Sequence, residues 1–176
     1  MDQEEMNRLV AMIRIAIERS GIPAKVVARE ANISLSAVYS AEHGTRKFPA
    51  QATTKFSEMN MIAAATMVAQ STGLLSLFRY RNEDRHVQSR IVQMRAYDSL
   101  VDDILDDLPM MLFNKQSRED LTAHDMDVLL KVADILSARL NVTLNLLMEL
   151  DLRFDLKLAE RLKQMKGRPI YLIRRP

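Results

Sequence analysis

The chain of 176 residues contains no cysteine and no tryptophan, and only four glycines and five prolines. The lack of cysteine excludes disulfides, thiolate zinc sites and cysteine nucleophiles, and it suits a reducing cytoplasm. No apolar run approaches the roughly 20 residues that a helix needs to cross a bilayer. The first residues, MDQEEMNRLV, lack the basic and apolar segments of a signal peptide. We therefore expect a cytoplasmic protein with no membrane partner.

Strong charge of one sign is also missing, because the formal net charge is only +2. The hydrophobic fraction of 48% and the charged fraction of 27% are typical of a globular protein rather than a disordered one. Without a large basic excess, any contact with nucleic acid has to come from the local placement of a few cations. The length fits one ordinary domain or two small ones.

Helix-forming residues dominate the composition, and they predict an all-α protein. In the N-terminal part we predict five helices, near residues 6–20, 23–31, 34–44, 49–59 and 62–73, with Ser34 capping the third. Residues 74–84 break the periodicity and hold two aromatics, so we interpret them as a linker. This divides the chain into an N-terminal domain of residues 1–73 and a helical C-terminal domain of residues 85–176.

The C-terminal part is predicted to hold two long helices and a shorter one. Asp84 is expected to cap a helix that Pro109 ends, and Thr122 with Asp125 makes a capping-box-like start for the next. Residues 148–158 alternate as a strand does. We prefer a helix break near 151–155, with Asp155 capping a last helix to residue 166, over a β-hairpin with residues 169–173.

An apolar stripe runs along the second long helix at spacings of four and three. It comprises Met126, Leu130, Ala133, Leu136, Leu140, Leu144 and Leu147. Such a stripe either closes an internal bundle or pairs with another chain. We favour a homodimer, and the same C-terminal helices are also candidates for binding a protein partner.

Residues 27–41 have the pattern of two helices joined by a tight turn. Ala28 is the small residue that lets a following helix cross closely, residues 32–34 form the turn, and Val38 and Ala41 are expected to face inward. The other residues of that helix then face solvent: Leu35, Ser36, Ala37, Tyr39 and Ser40.

The pieces VVARE, NISLSAVYS and EHGTRKFP resemble the lambda-repressor-like (Xre) helix-turn-helix family over about residues 10 to 60. The spacing of Glu42, Gly44 and Arg46 is the most distinctive part, and Glu42 is expected to bind Arg14 or Arg46. The helices that follow, through STG and DRH, resemble transcriptional regulators of phage and prophage from Gram-positive bacteria.

The resemblance implies that the third helix enters the major groove of double-stranded DNA, and that a dimer binds a palindromic site. It implies base contacts by Ser36, Tyr39 and Ser40 and thymine-methyl contacts by Leu35 and Ala37, with Ser34 at the same surface. It implies phosphate contacts by Lys25, Thr45, Arg46 and Lys47. Since the outward face has no Arg, Asn or Gln, we expect modest base specificity. The alternative is a protein-interaction or antitoxin-like module that uses the same fold without reading bases.

Other candidate sites are weaker. Four aspartates of one predicted helix, Asp102, Asp103, Asp106 and Asp107, are interpreted as a solvated acidic face rather than as a metal site. His43, His86 and His124 lack ligand spacing, and the sequence has no G-x-S-x-G motif and no Gly-rich phosphate loop. We expect no cofactor, no metal and no enzymatic activity. A metal-dependent enzyme built on the aspartates is the weakest alternative.

Overall fold

The computed structural model describes residues 3–164, and within this range helices are the only regular secondary structure, with no β-strand. The prediction of an all-α protein is confirmed. Nine α-helices are present in the described part: α1 (Gln3–Ser20), α2 (Ala24–Glu30), α3 (Leu35–Glu42), α4 (Thr53–Ser57), α5 (Met61–Thr72), α6 (Leu75–Phe78), α7 (Val87–Met111), α8 (Ala123–Phe154) and α9 (Leu158–Gln164). Two short 3-10 turns, Ala50–Ala52 and Arg118–Asp120, lie between them.

The first three helices and α5 lie close to their predicted positions because capping residues set their ends. α1 stops before Gly21, which adopts a φ of 65°, and α5 stops before Gly73 at a φ of 75°. Ser34 caps α3 as predicted, with its hydroxyl accepting from the Ala37 amide at 3.2 Å. The helix predicted over residues 49–59 is instead split into a 3-10 turn and the short α4.

A hydrophobic core forms between α1, α5 and the residues that connect α3 to α5. Phe48 and Phe56 are almost fully buried, and their ring centroids are 4.3 Å apart. Asn60 supports this core because it caps α5 through the Ala63 amide and donates to the Ala16 carbonyl at 3.0 Å. Burial of each large apolar side chain contributes about 1.5 to 3 kcal/mol, so this core is the main source of stability for the N-terminal helices.

Residues 74–84, interpreted as a linker, pack into the same core. Leu75 is 5% exposed and Tyr80 is 3% exposed, and both belong to the core that also includes Met148 of α8 and Ala159 of α9. The end of α8 therefore packs against the N-terminal helices. The division of the chain into two domains stays a prediction.

The start and end of α7 differ from the prediction. The carboxylate of Asp84 accepts from the His86 amide at 3.0 Å, which turns the chain before the helix, so that α7 begins at Val87 rather than at Asp84. Pro109 lies inside the last turn, and the helix continues to Met111. Proline removes only its own N–H donor, and the Leu112 amide donates to the Leu108 carbonyl at 3.0 Å, so the helical hydrogen bonding continues past Pro109.

Helix α8 begins at the predicted capping box. Thr122 accepts from the Asp125 amide at 3.2 Å, and Asp125 accepts from the Thr122 amide at 2.8 Å. The helix continues to Phe154, so the strand alternative for residues 148–158 is wrong, and residues 169–173 lie outside the described range. Asp155, at a φ of 47°, ends α8 and does not cap α9. The carboxylate of Asp151 caps α9 instead, accepting from the Leu158 amide at 2.8 Å.

Candidate nucleic-acid interface

The pair α2 and α3 is held at a tight turn. The Ile33 amide donates to the Ala28 carbonyl at 2.9 Å, and Asn32 adopts a left-handed φ of 52° that reverses the chain direction. Behind this turn, Val38 and Ala41 of α3 are completely buried, and Ala28 of α2 is 5% exposed. The predicted inward orientation of Val38 and Ala41 is confirmed.

The opposite face of α3 is open to solvent. Leu35 is 36% exposed and Tyr39 is 48% exposed, although both are large apolar or aromatic side chains that usually gain from burial. Ser36 is exposed, and its hydroxyl lies 3.0 Å from that of Ser34, while Ser40 is half-buried. Like Ser40, Ala37 is half-buried. Of the five predicted outward residues, three are thus exposed and two are half-buried.

The end of α3 is attached to α1 by two contacts. Arg14 of α1 donates to the Glu42 backbone carbonyl at 3.0 Å. The sequence predicted that Glu42 binds Arg14 or Arg46. In the structure Arg14 binds Glu42 through its backbone carbonyl rather than through its carboxylate. Gly44 adopts a φ of 72°, and a Cβ atom built there would lie 2.8 Å from Cγ2 of Val10. The exit from α3 therefore passes directly over α1, where only glycine fits.

The charged residues predicted to contact phosphates are exposed to solvent. Lys25 lies in the first turn of α2, and Arg46 and Lys47 follow Gly44. None of the ion pairs within residues 3–164 involves any of the three, so a partner does not have to displace an existing salt bridge to reach them. Thr45 is exposed as well, but its hydroxyl donates to the Ser40 carbonyl at 3.1 Å and stabilises the exit turn.

The aspartates of α7 lie apart from this interface. Asp102, Asp103, Asp106 and Asp107 are all exposed. In the described part of the chain, no group of three or more His, Cys, Asp or Glu residues is close enough to hold a metal ion. This arrangement is that of a solvated acidic face.

A buried polar cluster, which the sequence analysis did not anticipate, connects α1, the segment before α7, and α8. Glu149 of α8 is fully buried; its carboxylate accepts from the Tyr80 hydroxyl and from Arg19 of α1 at 3.3 Å. Arg19 also donates to the Tyr80 hydroxyl at 3.2 Å. Burial and then the hydrogen bond to Glu149 raise the pKa of Tyr80 to about 12. The phenol is therefore neutral and available as a donor at neutral pH.

Two asparagines one turn apart on α8 extend this cluster. Asn141 donates to the carbonyls of Leu77 at 3.0 Å and Arg79 at 2.9 Å. Asn145 also donates to the Arg79 carbonyl at 2.9 Å and accepts from the Arg81 amide at 2.7 Å. These contacts supply hydrogen-bond partners to backbone groups at the end of α6 and in the segment after it. The signal in the sequence was a polar residue every four positions, at 141, 145 and 149.

Within residues 3–164, no helix combines the length and the apolar character needed to span a membrane. Comparison of the chain with protein-family models, with curated proteins and with solved structures gives no match. The resemblance to the lambda-repressor-like family therefore stays a prediction that depends on the residues quoted above.

Proposed function

We propose that this protein is a cytoplasmic, sequence-specific DNA-binding regulator of transcription, in which α2 and α3 form a helix-turn-helix. The observation that carries the proposal is the two-sided character of α3. Val38 and Ala41 are fully buried on one side, while Leu35, Ser36 and Tyr39 face solvent on the other. A capped helix with a packed inner face and an open outer face is what a recognition helix requires.

In this proposal the outer face of α3 contacts base edges in the major groove. The hydroxyls of Ser36, Tyr39 and Ser40 can donate to or accept from bases, and Leu35 and Ala37 suit thymine methyl groups. Phosphate contacts come from Lys25, Thr45, Arg46 and Lys47, with Ser34 at the N-terminal end of α3. Arg46 and Lys47 follow Gly44, whose backbone passes close to Val10 of α1.

Specificity in this arrangement has to come from more than one recognition helix. A good bidentate pair between a side chain and a base discriminates by about 1 to 3 kcal/mol, and the outer face of α3 has no Arg, Asn or Gln to form one. A symmetric dimer offers the remaining discrimination, because two recognition helices about 34 Å apart bind only sites with the matching half-site spacing.

Helices α7 and α8 support the proposal of a dimer. Leu130, Leu136 and Leu140 of the predicted apolar stripe are 58%, 41% and 43% exposed, and Met110 and Phe113 at the end of α7 are 81% and 70% exposed. Exposed apolar residues in this density mark an interaction surface. A symmetric dimer would cover these residues with the same residues of a second copy. A prophage or mobile-element repressor acting on a palindromic site is the function that combines these features.

Binding to random duplex DNA at low and at higher salt tests the proposal. We expect affinity to fall steeply with salt, because phosphate contacts release counterions. Arg46→Ala and Lys47→Ala together should reduce the slope of log affinity against log salt by about 2 for each bound copy, and so by about 4 for the dimer. Arg95→Ala with Lys131→Ala, which removes two exposed cations from α7 and α8, is the control with the same charge change. Selection from a random DNA pool should give a two-fold-symmetric consensus.

A second candidate is a protein-interaction or antitoxin-like module. The exposed fractions of Leu35 and Tyr39 favour it, because these side chains suit a protein surface as well as a groove. The same measurement separates the two functions. Absence of DNA binding at low salt would contradict the regulator and support this module, and an asymmetric consensus with a monomeric mass would contradict the dimer.

A further inference from the structure

A cavity of about 460 Å³ lies where α1, the segment after α6, α7 and α8 meet. The side chains that line it are all polar or charged, and they include four arginines, Arg8, Arg79, Arg81 and Arg90, against two carboxylates, Glu83 and Asp84. The lining therefore carries a formal charge of +2, which favours an anion. Its volume falls within the range of about 300 to 1,000 Å³ that is usual for small-molecule sites.

Arg90 is the unusual member of this lining. It is only 1% exposed, and its Nε atom is buried with no hydrogen-bond acceptor among residues 3–164. Another nitrogen of the same guanidinium donates to the Arg81 backbone carbonyl. None of the ion pairs in this part of the chain includes Arg90. Arg90 lies near enough to Asp84 to help lower the pKa of that carboxyl, but the two form no direct ion pair. A buried charge without a direct ion pair is costly, so an anion bound in the cavity would relieve part of that cost.

The two carboxylates of the cavity already have other partners. Glu83 lies 3.7 Å from Arg79, and Asp84 accepts from the His86 amide at 3.0 Å and from Gln93 at 3.4 Å. The hydrogen bond from the His86 amide is the main reason that the pKa of Asp84 is lowered. Asp84 is thus an ionised acceptor near neutral pH. Both carboxylates can receive hydroxyl donors from a ligand but do not form an ion pair with Arg90.

We propose that this cavity binds a small phosphorylated sugar or polyol. The phosphate would accept from the Nε–H of Arg90 and from Arg81, whose charges suit a dianion. The hydroxyl groups would donate to Glu83 and Asp84. A nucleotide fits less well, because no aromatic or apolar side chain lines the cavity for a base to stack on. This site does not depend on the proposed DNA binding.

Isothermal titration calorimetry of the full chain with glucosyl phosphate tests the proposal. Binding is expected for glucosyl phosphate, weaker binding for inorganic phosphate, and none for glucose. Arg90→Gln should weaken binding about tenfold or more, which is the loss expected for one charge-assisted hydrogen bond. Arg81→Gln, at an exposed position that leaves the core intact, should have a similar effect. Arg95→Gln, an exposed arginine of α7 that does not line the cavity, is the matched control and should bind normally.

Several results would contradict the proposal that this cavity binds a phosphorylated sugar or polyol. Absence of binding for both glucosyl phosphate and inorganic phosphate would refute it. Binding that persists unchanged in both Arg90→Gln and Arg81→Gln would place the anion elsewhere on the protein. If inorganic phosphate or adenosine monophosphate binds as tightly as glucosyl phosphate, the sugar class is wrong. Because heat of ligand binding is measured without DNA, none of these results depends on whether the protein binds a duplex.

Discussion

Replacement of Gly44 with alanine tests whether the exit from α3 is fixed against α1. Gly44 has a φ of 72°, and an added Cβ would lie 2.8 Å from Cγ2 of Val10. Gly73 offers a matched control, because its φ is 75° and nothing lies within 4 Å of the position where its Cβ would be. The two substitutions impose the same backbone strain, and only one of them adds a collision.

The two costs differ in magnitude. A left-handed conformation costs an L-residue about 1 to 2 kcal/mol, which is the whole expected destabilisation for Gly73→Ala. In Gly44→Ala, overpacking adds about 1 to 3 kcal/mol, so the total is about 2 to 5 kcal/mol. Val10 cannot rotate away cheaply, because a valine in a helix has one strongly preferred χ1 rotamer. The backbone of α1 or of the exit turn therefore has to move.

Urea unfolding followed by circular dichroism measures both costs. Val10→Ala in the Gly44→Ala background removes the collision but keeps the backbone strain, so a double-mutant cycle should give a coupling energy of about 1 kcal/mol or more. If Gly44→Ala is no more destabilising than Gly73→Ala, or if the cycle shows no coupling, the proposed contact between the exit turn and α1 is refuted.

Two further predictions concern pH. The pKa of Tyr80 is raised to about 12, so the folded state holds this proton more tightly than the unfolded state, and the resulting stability is lost as pH rises from about 10 towards 12. Tyr80→Phe should destabilise the protein by about 1 to 3 kcal/mol at neutral pH, because it removes a hydrogen-bond donor to the buried Glu149. The difference in stability from wild type should shrink above pH 10, and a constant difference would contradict the linkage argument. The pKa of Asp125 is lowered, first by its contact with Lys115 at 2.7 Å and then by hydrogen bonds from Thr122, so its contribution to stability is present above about pH 4 and is lost below it. The free energy of unfolding of Asp125→Asn should therefore decline less steeply than that of wild type as pH falls below about 4. Identical slopes of unfolding free energy against pH would contradict this role of Asp125.

The local features of the fold could be predicted where a capping residue or a glycine marks a boundary. Ser34 and Gly73 both lie at the helix ends where the sequence placed them, because their preference for these positions does not depend on distant partners. Asp84 and Asp155 are equally good caps by residue type, yet neither begins the helix predicted for it. Their roles depend on the packing of neighbouring segments, which a local pattern does not contain.

The inner face of α3 could also be predicted, because Val38 and Ala41 lie three residues apart and follow the small residue Ala28 of α2. The buried cluster around Glu149 could not. In a helix otherwise rich in leucine, Asn141, Asn145 and Glu149 look like a polar face in water. Their partners are backbone carbonyls and a tyrosine from a segment more than sixty residues earlier, and only the tertiary structure brings these together.

The length of α8 has a mechanical consequence. Asp151 joins its C-terminal end to α5 through the Met61 amide at 3.0 Å, whereas the stripe around Leu130 lies near its other end. With a rise of 1.5 Å per residue, the helix is roughly 48 Å long, so a tilt of about 5° at the anchored end moves the distal end by about 4 Å. One residue inserted into the middle would turn the two ends by about 100° relative to each other. In the proposed dimer, the length of α8 would therefore help to set the distance between the two α3 helices.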